Sequence, residues 1–422
     1  MGRKIITKIK KTFSTESIYF LERAYEYISA TISILNPIYR NMAFKSLSTR
    51  KNNEVQYSIK ATKIFINKAV GWILKQQDIQ EDGGITSWIR FRFGKRIRGA
   101  SYPEVTGYII PTLFNYAKVF KDEDVFKAAL NAADFELNVQ HKIGYFNAGP
   151  VGFVPEPCVF DSAQIITGLV RAYKETGESK YIESAIKACR WICSVQEEDG
   201  SWGRFNYLNM KRTYDTKVCE ALLEAQSAID TNNFTDNINS NLDYCLINQK
   251  ENGWFYNCDN SFERNNAPLT HTIGYTIQGF LACYSMMNRS DLLLASKKSL
   301  MVLMHKFELL KKPLAGRYYS NWKPAVKSSC ITGNAQLSIC WMELYKIIDD
   351  TRYLNAAFKM NDWLKKMQYQ SKYEEIDGGL PGSYPLWGDY CPNAINSWGI
   401  KYFIDALLME LELKEKIMEE IV

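Results

Sequence analysis

The stretch Ser194–Gly203 reads SVQEEDGSWG, in which a Gln is followed closely by an acidic pair, a Gly and a Trp. The same phrase recurs along the chain, as QQDIQEDGG from Gln76, VQHKIGYFNAG from Val139, NQKENGWF from Asn248 and MQYQSKYEEIDGG from Met367. Counted from Gln77, the intervals between successive Gln residues are 63, 56, 53 and 119 residues, and the last is about two steps long. A phrase at near-even spacing indicates a repeat architecture rather than a single site.

The sixth copy is expected near His305–Phe307, where the helical pattern persists but the Gln is lost. Apolar residues between the phrases recur at steps of three and four, which predicts helices in pairs. The first helix of each pair is predicted at 60–77, 123–140, 181–196, 235–249, 291–306 and 352–369. The second is predicted at 104–119, 161–175, 215–229, 270–286, 332–348 and 393–411. The sequence therefore predicts an all-α fold of six helical hairpins over residues 59–422.

Residues 1–58 are predicted to form a separate helical extension, with helices near Glu16–Leu35 and Tyr39–Leu47. Its first twelve residues carry five basic side chains among isoleucines, a pattern that could contact an anionic membrane surface. They lack the long apolar core of a secretory signal or a spanning helix, so the sequence predicts a cytoplasmic protein, at most membrane-peripheral.

The bulk composition narrows the class of protein. With 422 residues, 46% of them hydrophobic, the chain can bury a large core. A net charge of +6 fits an anionic small substrate or an acidic glycan, and no nucleic-acid motif accompanies it. The ten cysteines are scattered without a ligand spacing, which favours free buried thiols. We expect no cofactor and no metal site.

Six hairpins can close into a ring with the second helices inside, an (α/α)6 toroid. Here the chain resembles the α/α-toroid superfamily over residues 60–415, and its recurring phrase resembles the QW motif of squalene-hopene and oxidosqualene cyclases. The Gln would bond free backbone carbonyls at the outer helix end, the Gly would make the left-handed turn, and the aromatic would pack beneath. The same ring occurs in protein prenyltransferase β subunits, glycoside hydrolases, polysaccharide lyases and the C-terminal domain of glucuronyl C5-epimerases.

The long loops that join outer to inner helices should gather at one mouth of such a ring. Long loops on a rigid scaffold are where function is expected. The segments entering the inner helices are unusually polar for a core: SYPEVTGY, VFDSAQ, RTYDTK, LTHTIGY, CITGNAQ and NAINSWGIKY. Capping of a helix N-terminus could explain each of Asp161, Asp215 and Thr270 taken alone. It does not explain why Tyr, His, Glu and Lys also stand at the starts of the inner helices, at the same height in the ring. A functional cleft is therefore predicted at this mouth.

Two mechanisms compete for that cleft. In the first, His271 with Tyr275, Tyr108 and Tyr214 removes a proton beside a sugar carboxylate, as the resemblance to uronate lyases and C5-epimerases implies. In the second, Glu104, Asp161 and Asp215 supply a carboxylate pair for glycoside hydrolysis. The predicted substrate-binding residues are Arg90, Arg92, Gln164, Arg212, Arg264, Arg317, Trp322, Asn334, Gln336 and Lys401. Other loop tryptophans that could stack on sugars are Trp88, Trp202, Trp254 and Trp387.

The first mechanism is preferred, so the sequence predicts an enzyme for an acidic, uronate-type sugar or glycan, with polysaccharide biosynthesis as its expected setting. The partner expected is an oligosaccharide or sugar conjugate. Isoprenoid chemistry is disfavoured, since there is no DxDD acid and the DDTRY at Asp349 lies in an outer turn. A non-catalytic glycan-binding scaffold is the remaining alternative.

Overall fold

The computed structural model describes residues 15–48, 56–153 and 156–421 of the chain. Within these ranges there are fourteen α-helices and five short β-strands. The first two helices are α1 (Thr15–Ser33) and α2 (Pro37–Ser48), which form the predicted N-terminal extension. Twelve helices follow, alternating between two concentric layers.

The outer layer consists of α3 (Ile59–Asp78), α5 (Glu123–Val139), α7 (Ser179–Ser194), α9 (Thr235–Ile247), α11 (Ser290–Leu310) and α13 (Thr351–Met367). The inner layer consists of α4 (Pro103–Phe120), α6 (Val159–Thr176), α8 (Thr216–Ala228), α10 (Thr270–Met287), α12 (Ile331–Ile348) and α14 (Ser397–Ile421). Each inner helix contacts the next, and α14 contacts α4, so the inner layer closes on itself. The predicted (α/α)6 toroid is confirmed.

The ring is closed by elements from opposite ends of the chain. Each inner helix packs against the outer helix that follows it through a short turn, and the last inner helix, α14, packs against the first outer helix, α3. The buried core runs between the two layers and includes large side chains such as Trp72 and Trp341. The contacts that α14 makes with α3 and α4 are therefore the contacts that close the ring.

The recurring Gln links neighbouring outer helices. The Gln196 side chain donates to the carbonyls of Gly200 (2.9 Å) in its own loop and Asn237 (2.8 Å) in the next outer helix. Gln77, Gln140, Gln249 and Gln368 repeat this pattern, and Gln368 reaches Phe65 O at 2.9 Å across the ring closure. The carbonyls satisfied thus belong to the loop and the next helix. The phrase has an architectural role, and Trp202 is buried beneath it with its indole N–H on Ile192 O.

The recurring phrase ends in a Gly, and at Gly378 two features of the structure require a residue without a side chain. Its φ is +88°, and a Cβ there would lie 2.0 Å from Lys68 O on the neighbouring outer helix. We expect Gly378→Ala to lower the free energy of unfolding by about 2–5 kcal/mol, from left-handed strain plus a clash. Gly177 is the matched control, because its φ is +73° but no atom lies within 4 Å of its Cβ position. Gly177→Ala should cost about 1–2 kcal/mol in urea denaturation, and equal costs would contradict the clash.

Small strands lie at the mouth, a feature that the sequence pattern did not predict. Strand β1 (Trp88–Arg92) pairs antiparallel with β2 (Lys95–Arg98) and with β5 (Ala394–Asn396), while β3 (Ser329–Cys330) pairs with β4 (Ser383–Tyr384). Because β1 belongs to the first mouth loop and β5 to the last, this sheet also ties the two ends of the ring together.

The extension packs on the mouth side of the ring. Tyr39 is buried with its hydroxyl on Asn393 Oδ1 at 2.7 Å, and the Asn36 amide donates to Gly94 O at 3.0 Å. Ser46 accepts from the Leu386 N–H at 3.0 Å. The extension therefore buttresses the loop that precedes α14. Among the described helices, none combines the length and apolar character needed to cross a bilayer.

Candidate active site

A cavity of about 340 Å³ opens at the mouth, where the entries of five inner helices meet. Its lining is mainly aromatic and carries two carboxylates and one imidazole. The lining residues that bear on its chemistry are Trp88, Tyr102, Glu104, Tyr108, Phe160, Asp161, Tyr207, Tyr214, His271, Tyr275, Tyr390, Cys391 and Trp398. Six of the seven predicted catalytic side chains thus line one cavity, and Asp215 is the exception.

Glu104, Asp161 and Tyr102 lie together in the lining of the cavity. Asp161 Oδ2 accepts from the Gly149 N–H (3.0 Å) and the Tyr102 hydroxyl (3.4 Å), and Oδ1 accepts from the Cys158 thiol (3.2 Å). Burial raises the pKa of Asp161 to about 6, against the lowering effect of these donors. Burial and the Asp161 charge raise the pKa of Glu104 well above its ordinary value. Of the two carboxyls, Glu104 is therefore the one that burial and the neighbouring charge favour in the protonated form.

Asp161 is not a helix cap. Helix α6 begins at Val159, and its cap position is Cys158, so Asp161 lies inside the first turn with its carboxylate turned to the cavity. Asp215 and Thr270 likewise make no side-chain cap bond. The N-cap interpretation is wrong for Asp161 and Thr270, because α6 begins before Asp161 and α10 begins at Thr270 itself. Asp215 does occupy the N-cap position of α8, but its carboxylate is not used as the cap.

Aromatic rings close the bottom and sides of the cavity. The Tyr275 ring lies 5.2 Å from Phe160, 5.9 Å from Tyr402 and 6.2 Å from Tyr214, centroid to centroid. Tyr108 lies 6.1 Å from Tyr402. The pKa values of Tyr108 and Tyr275 are raised well above the ordinary value, first by burial, so both stay protonated. These hydroxyls are hydrogen-bond donors at neutral pH rather than bases.

His271 is buried with its tautomer set by a neighbour. Its Nδ1 lies 2.6 Å from Gln336 Oε1. Because an amide oxygen only accepts, Nδ1 carries the proton and Nε2 keeps its lone pair. Burial lowers the pKa of His271 to about 4, so the imidazole is neutral at physiological pH. Its ring is 4.4 Å from Tyr275, as the one-turn spacing predicted.

Asp215 and Arg212 lie behind the cavity wall rather than in it. Both Asp215 oxygens accept from the Asn206 amide at 2.9 Å, and burial raises the pKa of Asp215 to about 7. Arg212 is buried with Nε on the Tyr214 hydroxyl at 3.1 Å and Nη2 on Tyr207 O at 3.2 Å. Neither lines the cavity. Arg212 positions the Tyr214 hydroxyl, whereas Asp215 is held by Asn206, and a direct substrate role for either has no support in the geometry.

Three of the predicted carboxylate clamps are engaged elsewhere. Arg92 pairs with Glu26 of α1 at 3.2 Å, and Arg264 pairs with Asp389 at 3.4 Å. Arg317 is buried between Asp259 (2.6 Å) and Asp389 (2.7 Å). The sequence placed these three arginines at the mouth, but it did not show that they form ion pairs with acidic residues of α1 and of other mouth loops. Their contacts support structural roles.

Arg90 differs from these three arginines in having no acidic partner among the described residues. It makes no ion pair within the described part of the chain, and its buried Nε has no hydrogen-bond partner there. Its guanidinium lies 5.1 Å from the Trp88 ring centroid. Burial raises the pKa of the Cys391 thiol to about 11, against the lowering effect of the nearby Arg90 charge. Arg90 does not itself line the cavity, but it lies beside two residues that do, Trp88 and Cys391.

The remaining predicted binding residues lie behind the cavity surface. Gln336 acts through His271, and Lys401 pairs with Asp405 at 2.7 Å beneath Tyr402. Asn334 is hydrogen-bonded to the backbone of Leu314 and Cys330. Trp322 is buried with its indole N–H on Asn252 O. Gln164 is buried and does not line the cavity.

Sequence reasoning missed several lining residues. Tyr102 stands two positions before Glu104, and Trp398 lies within the quoted segment NAINSWGIKY. Tyr390 comes from a long loop, where its hydroxyl accepts from the Trp398 indole N–H at 2.7 Å. Tyr102 and Trp398 could have been recognised in the sequence as aromatic residues within the polar segments that enter the inner helices. In the described ranges, no group of three or more His, Cys, Asp or Glu side chains is arranged to hold a metal ion.

No protein-family model matches the sequence, and no curated protein matches it either. Solved structures match its fold. An unsaturated glucuronyl hydrolase specific for heparin superposes with a TM-score of 0.67 at 12% identity, over 85% of this chain and 99% of that one. Cellobiose 2-epimerase from Bacillus thermoamylovorans B4167 gives 0.66 at 15%, over 84% and 99%. An unsaturated glucuronyl hydrolase mutant from Streptococcus agalactiae, complexed with dGlcA-GalNAc6S, gives 0.60 at 13%, over 85% and 93%.

Proposed function

We propose that this protein is a carbohydrate-active hydrolase in which Glu104 is the general acid and Asp161 its ionised partner. The observation that carries the proposal is a pair of carboxyls facing one cavity, with environments that separate their protonation states. Such a pair provides the acid and base of glycosidic cleavage. We therefore prefer hydrolysis to proton abstraction, although the sequence alone favoured proton abstraction.

The hydrogen bonds support this division of roles. Three donors converge on Asp161, and hydrogen bonds to a charged carboxylate favour that form. The Tyr102 hydroxyl has one proton, and it donates that proton toward Asp161, so its oxygen can accept from a protonated Glu104. Glu104 then delivers its proton to the leaving oxygen, while Asp161 activates water or attacks the sugar carbon.

The shape of the cavity favours the end of a glycan chain. About 340 Å³ is at the lower end of ligand-pocket volumes of roughly 300–1,000 Å³. The buried Tyr108 and Tyr275 close the bottom, while Trp88, Trp398 and Tyr390 offer faces on which a sugar ring can stack. A pocket of this size holds a terminal sugar residue more readily than the middle of a chain. We therefore infer exo-type action.

An acidic sugar remains the preferred substrate class, with Arg90 as the group that would receive its carboxylate. A guanidinium with a free buried donor beside the cavity is suited to that contact. The fold neighbours described as unsaturated glucuronyl hydrolases, one of them complexed with dGlcA-GalNAc6S, make unsaturated uronyl oligosaccharides the first substrates to test.

Epimerisation by proton abstraction is the second candidate, and His271 favours it. A neutral imidazole with Nδ1–H bound to Gln336 leaves Nε2 basic beside Tyr275. In that mechanism Nε2 would remove a carbon-bound proton, and a tyrosine hydroxyl would stabilise the developing oxyanion. A fold neighbour described as cellobiose 2-epimerase makes saturated disaccharides part of the test.

One assay separates these mechanisms. Purified protein is incubated in deuterated water with unsaturated uronyl disaccharides and with saturated acidic and neutral oligosaccharides, followed by ultraviolet absorbance and mass spectrometry. We expect cleavage, with loss of the uronyl double-bond absorbance where that group is present. Deuterium gain in an uncleaved oligosaccharide would instead assign the epimerase mechanism, and new double-bond absorbance would assign a lyase. Absence of any reaction across the panel would contradict the proposal.

A further inference from the structure

Helix α1 buries polar side chains against the protein and leaves apolar side chains exposed to solvent. Three of its polar side chains face the protein: Ser29 accepts from the Phe93 N–H (3.1 Å), Ser33 accepts from the Gly94 N–H (3.0 Å), and Glu26 accepts from the Asn393 amide (2.9 Å). All three are buried. The helix is thus attached to the mouth by buried hydrogen bonds together with an edge-on contact between the Tyr25 and Phe93 rings.

The opposite side, called here the outward face, consists of Phe20, Leu21, Ile28, Ile32 and Leu35. These residues recur at helical steps, with Leu35 just beyond the helix end. Phe20 is 71% exposed, Ile28 56% and Leu35 79%. Single exposed apolar residues are ordinary, but a row of five on one helix whose polar side is buried indicates a surface that is covered in use.

The charge of the adjoining chain identifies the kind of partner. Residues 1–14, which directly precede α1 in the sequence, contain Arg3, Lys4, Lys8, Lys10 and Lys11 and no acidic residue. Each basic side chain close to an anionic lipid surface contributes about 1 kcal/mol of attraction. A basic segment joined to an apolar helix face combines the two interactions that hold a peripheral protein on a membrane.

We propose that the outward face of α1 docks on an anionic lipid bilayer, with its apolar side chains in the interfacial region. The positive charge of residues 1–14, which lie outside the described residues, adds to the attraction. Docking there would bring the mouth close to the membrane, because α1 holds the loop that supplies the cavity wall. The Arg23 guanidinium donates to Gly388 O at 2.7 Å, and Tyr19 donates to Asp389 Oδ1 at 3.0 Å, next to Tyr390. This inference rests on the surface and not on the reaction proposed above.

The test is sedimentation of the full chain with two kinds of vesicle, phosphatidylcholine alone and phosphatidylcholine mixed with phosphatidylglycerol. We expect binding to the anionic vesicles, weakened by added salt, and little binding to the neutral ones. The variant Ile28→Ser/Leu35→Ser should bind at least about tenfold more weakly, since each lost apolar side chain removes interfacial burial.

A matched control uses two leucines on outer helix α11, Leu294 (59% exposed) and Leu309 (82% exposed). The variant Leu294→Ser/Leu309→Ser makes the same chemical change at similar exposure and should bind as wild type does. Circular dichroism and thermal unfolding of both variants should match wild type, since all four positions face solvent.

Three outcomes would overturn the proposal. The first is wild-type protein that does not sediment with anionic vesicles. The second is equal weakening by both double variants, which would show a general apolar effect. The third is a dimer in sedimentation velocity that Ile28→Ser/Leu35→Ser abolishes without any vesicle binding, which would assign the outward face to a second copy of the chain.

Discussion

Replacing Glu104 by Gln, or Asp161 by Asn, is expected to lower kcat on a cleaved oligosaccharide by about 10²–10⁴-fold, with a small change in KM. An amide at position 104 cannot give a proton to the leaving oxygen, and an amide at position 161 can neither activate water nor attack carbon. Both changes keep side-chain volume, so the cavity should persist. Initial rates over a range of substrate concentrations separate kcat from KM.

Asp215→Asn is the matched control for these variants. Asp215 is a buried carboxyl with a raised pKa, held by Asn206 behind the cavity wall rather than in it. Its amide variant should retain activity within a few-fold if only cavity-facing carboxyls take part. Near wild-type kcat in the Asp161→Asn variant, together with loss of activity in His271→Gln, would move the mechanism to proton abstraction.

The pH profile is a second readout of the same pair. The pKa of Asp161 is about 6, so the ionised form needed for catalysis is lost as the pH falls through that value. The pKa of Glu104 is raised well above its ordinary value, so its proton is lost only at higher pH. We expect a bell-shaped profile with an optimum above about pH 6. The residual activity of Glu104→Gln should lose the fall on the alkaline side.

Replacement of Arg317 by Met should lower the free energy of unfolding by about 3–5 kcal/mol, because it leaves two buried carboxylates without their shared cation. Arg317 lies between Asp259 and Asp389, and all three side chains are buried. They come from three different mouth loops, so the same change should loosen the cavity wall at Tyr390. Urea denaturation gives the stability, and the assay above gives the loss of activity.

Arg289→Met is the control for Arg317→Met. Arg289 also bridges two aspartates, Asp243 and Asp291, each at 2.7 Å, but both carboxylates are largely exposed. Exposed ion pairs contribute about 0–1 kcal/mol, so Arg289→Met should be nearly neutral. Comparable losses in the two variants would contradict the buried-charge explanation.

The stability difference between wild type and Arg317→Met should depend on pH. Burial acts to raise the pKa of Asp389, but the Arg317 and Arg264 charges overcome it and lower the pKa below the ordinary value. A lowered carboxyl pKa stabilises the fold above the unfolded-state pKa, and this contribution disappears as the pH falls through the folded-state value. The difference should therefore be largest near neutral pH and shrink in acid. A difference that does not depend on pH would indicate lost packing instead.

The fold could be predicted closely because its signal is local and repeated. The interval between Gln196 and Gln249 measures one repeat, and the inner-helix prediction 215–229 differs by one residue at each end from Thr216–Ala228. Helix periodicity and a turn-forming Gly depend on neighbours in sequence, so they can be seen in the chain itself. Strand β5 could not be predicted, because its three residues pair only when β1, from the far end of the ring, is beside them.

The candidate site was predicted in its location and only partly in its members. The polar helix entries identified Glu104, Asp161 and His271, because a polar residue at the start of a buried helix conflicts with its surroundings. The arginines were predicted as one group, and the structure separates them: Arg317 has acidic partners and Arg90 has none in the described residues. Which charges meet depends on loops that approach each other only after the ring has closed.

The sequence by itself determined the ring of six hairpins, the recurring Gln at the outer helix ends and the mouth at which chemistry is expected, because these follow from periodicity along the chain. That each Gln reaches the next outer helix was seen only in the tertiary structure. Only the tertiary structure decided that Glu104 and Asp161 line one cavity while Asp215 lies behind its wall. It alone also showed that α1 turns its polar side inward. Desolvation and charge pairing depend on distances between residues far apart in sequence, and no pattern along the chain contains those distances.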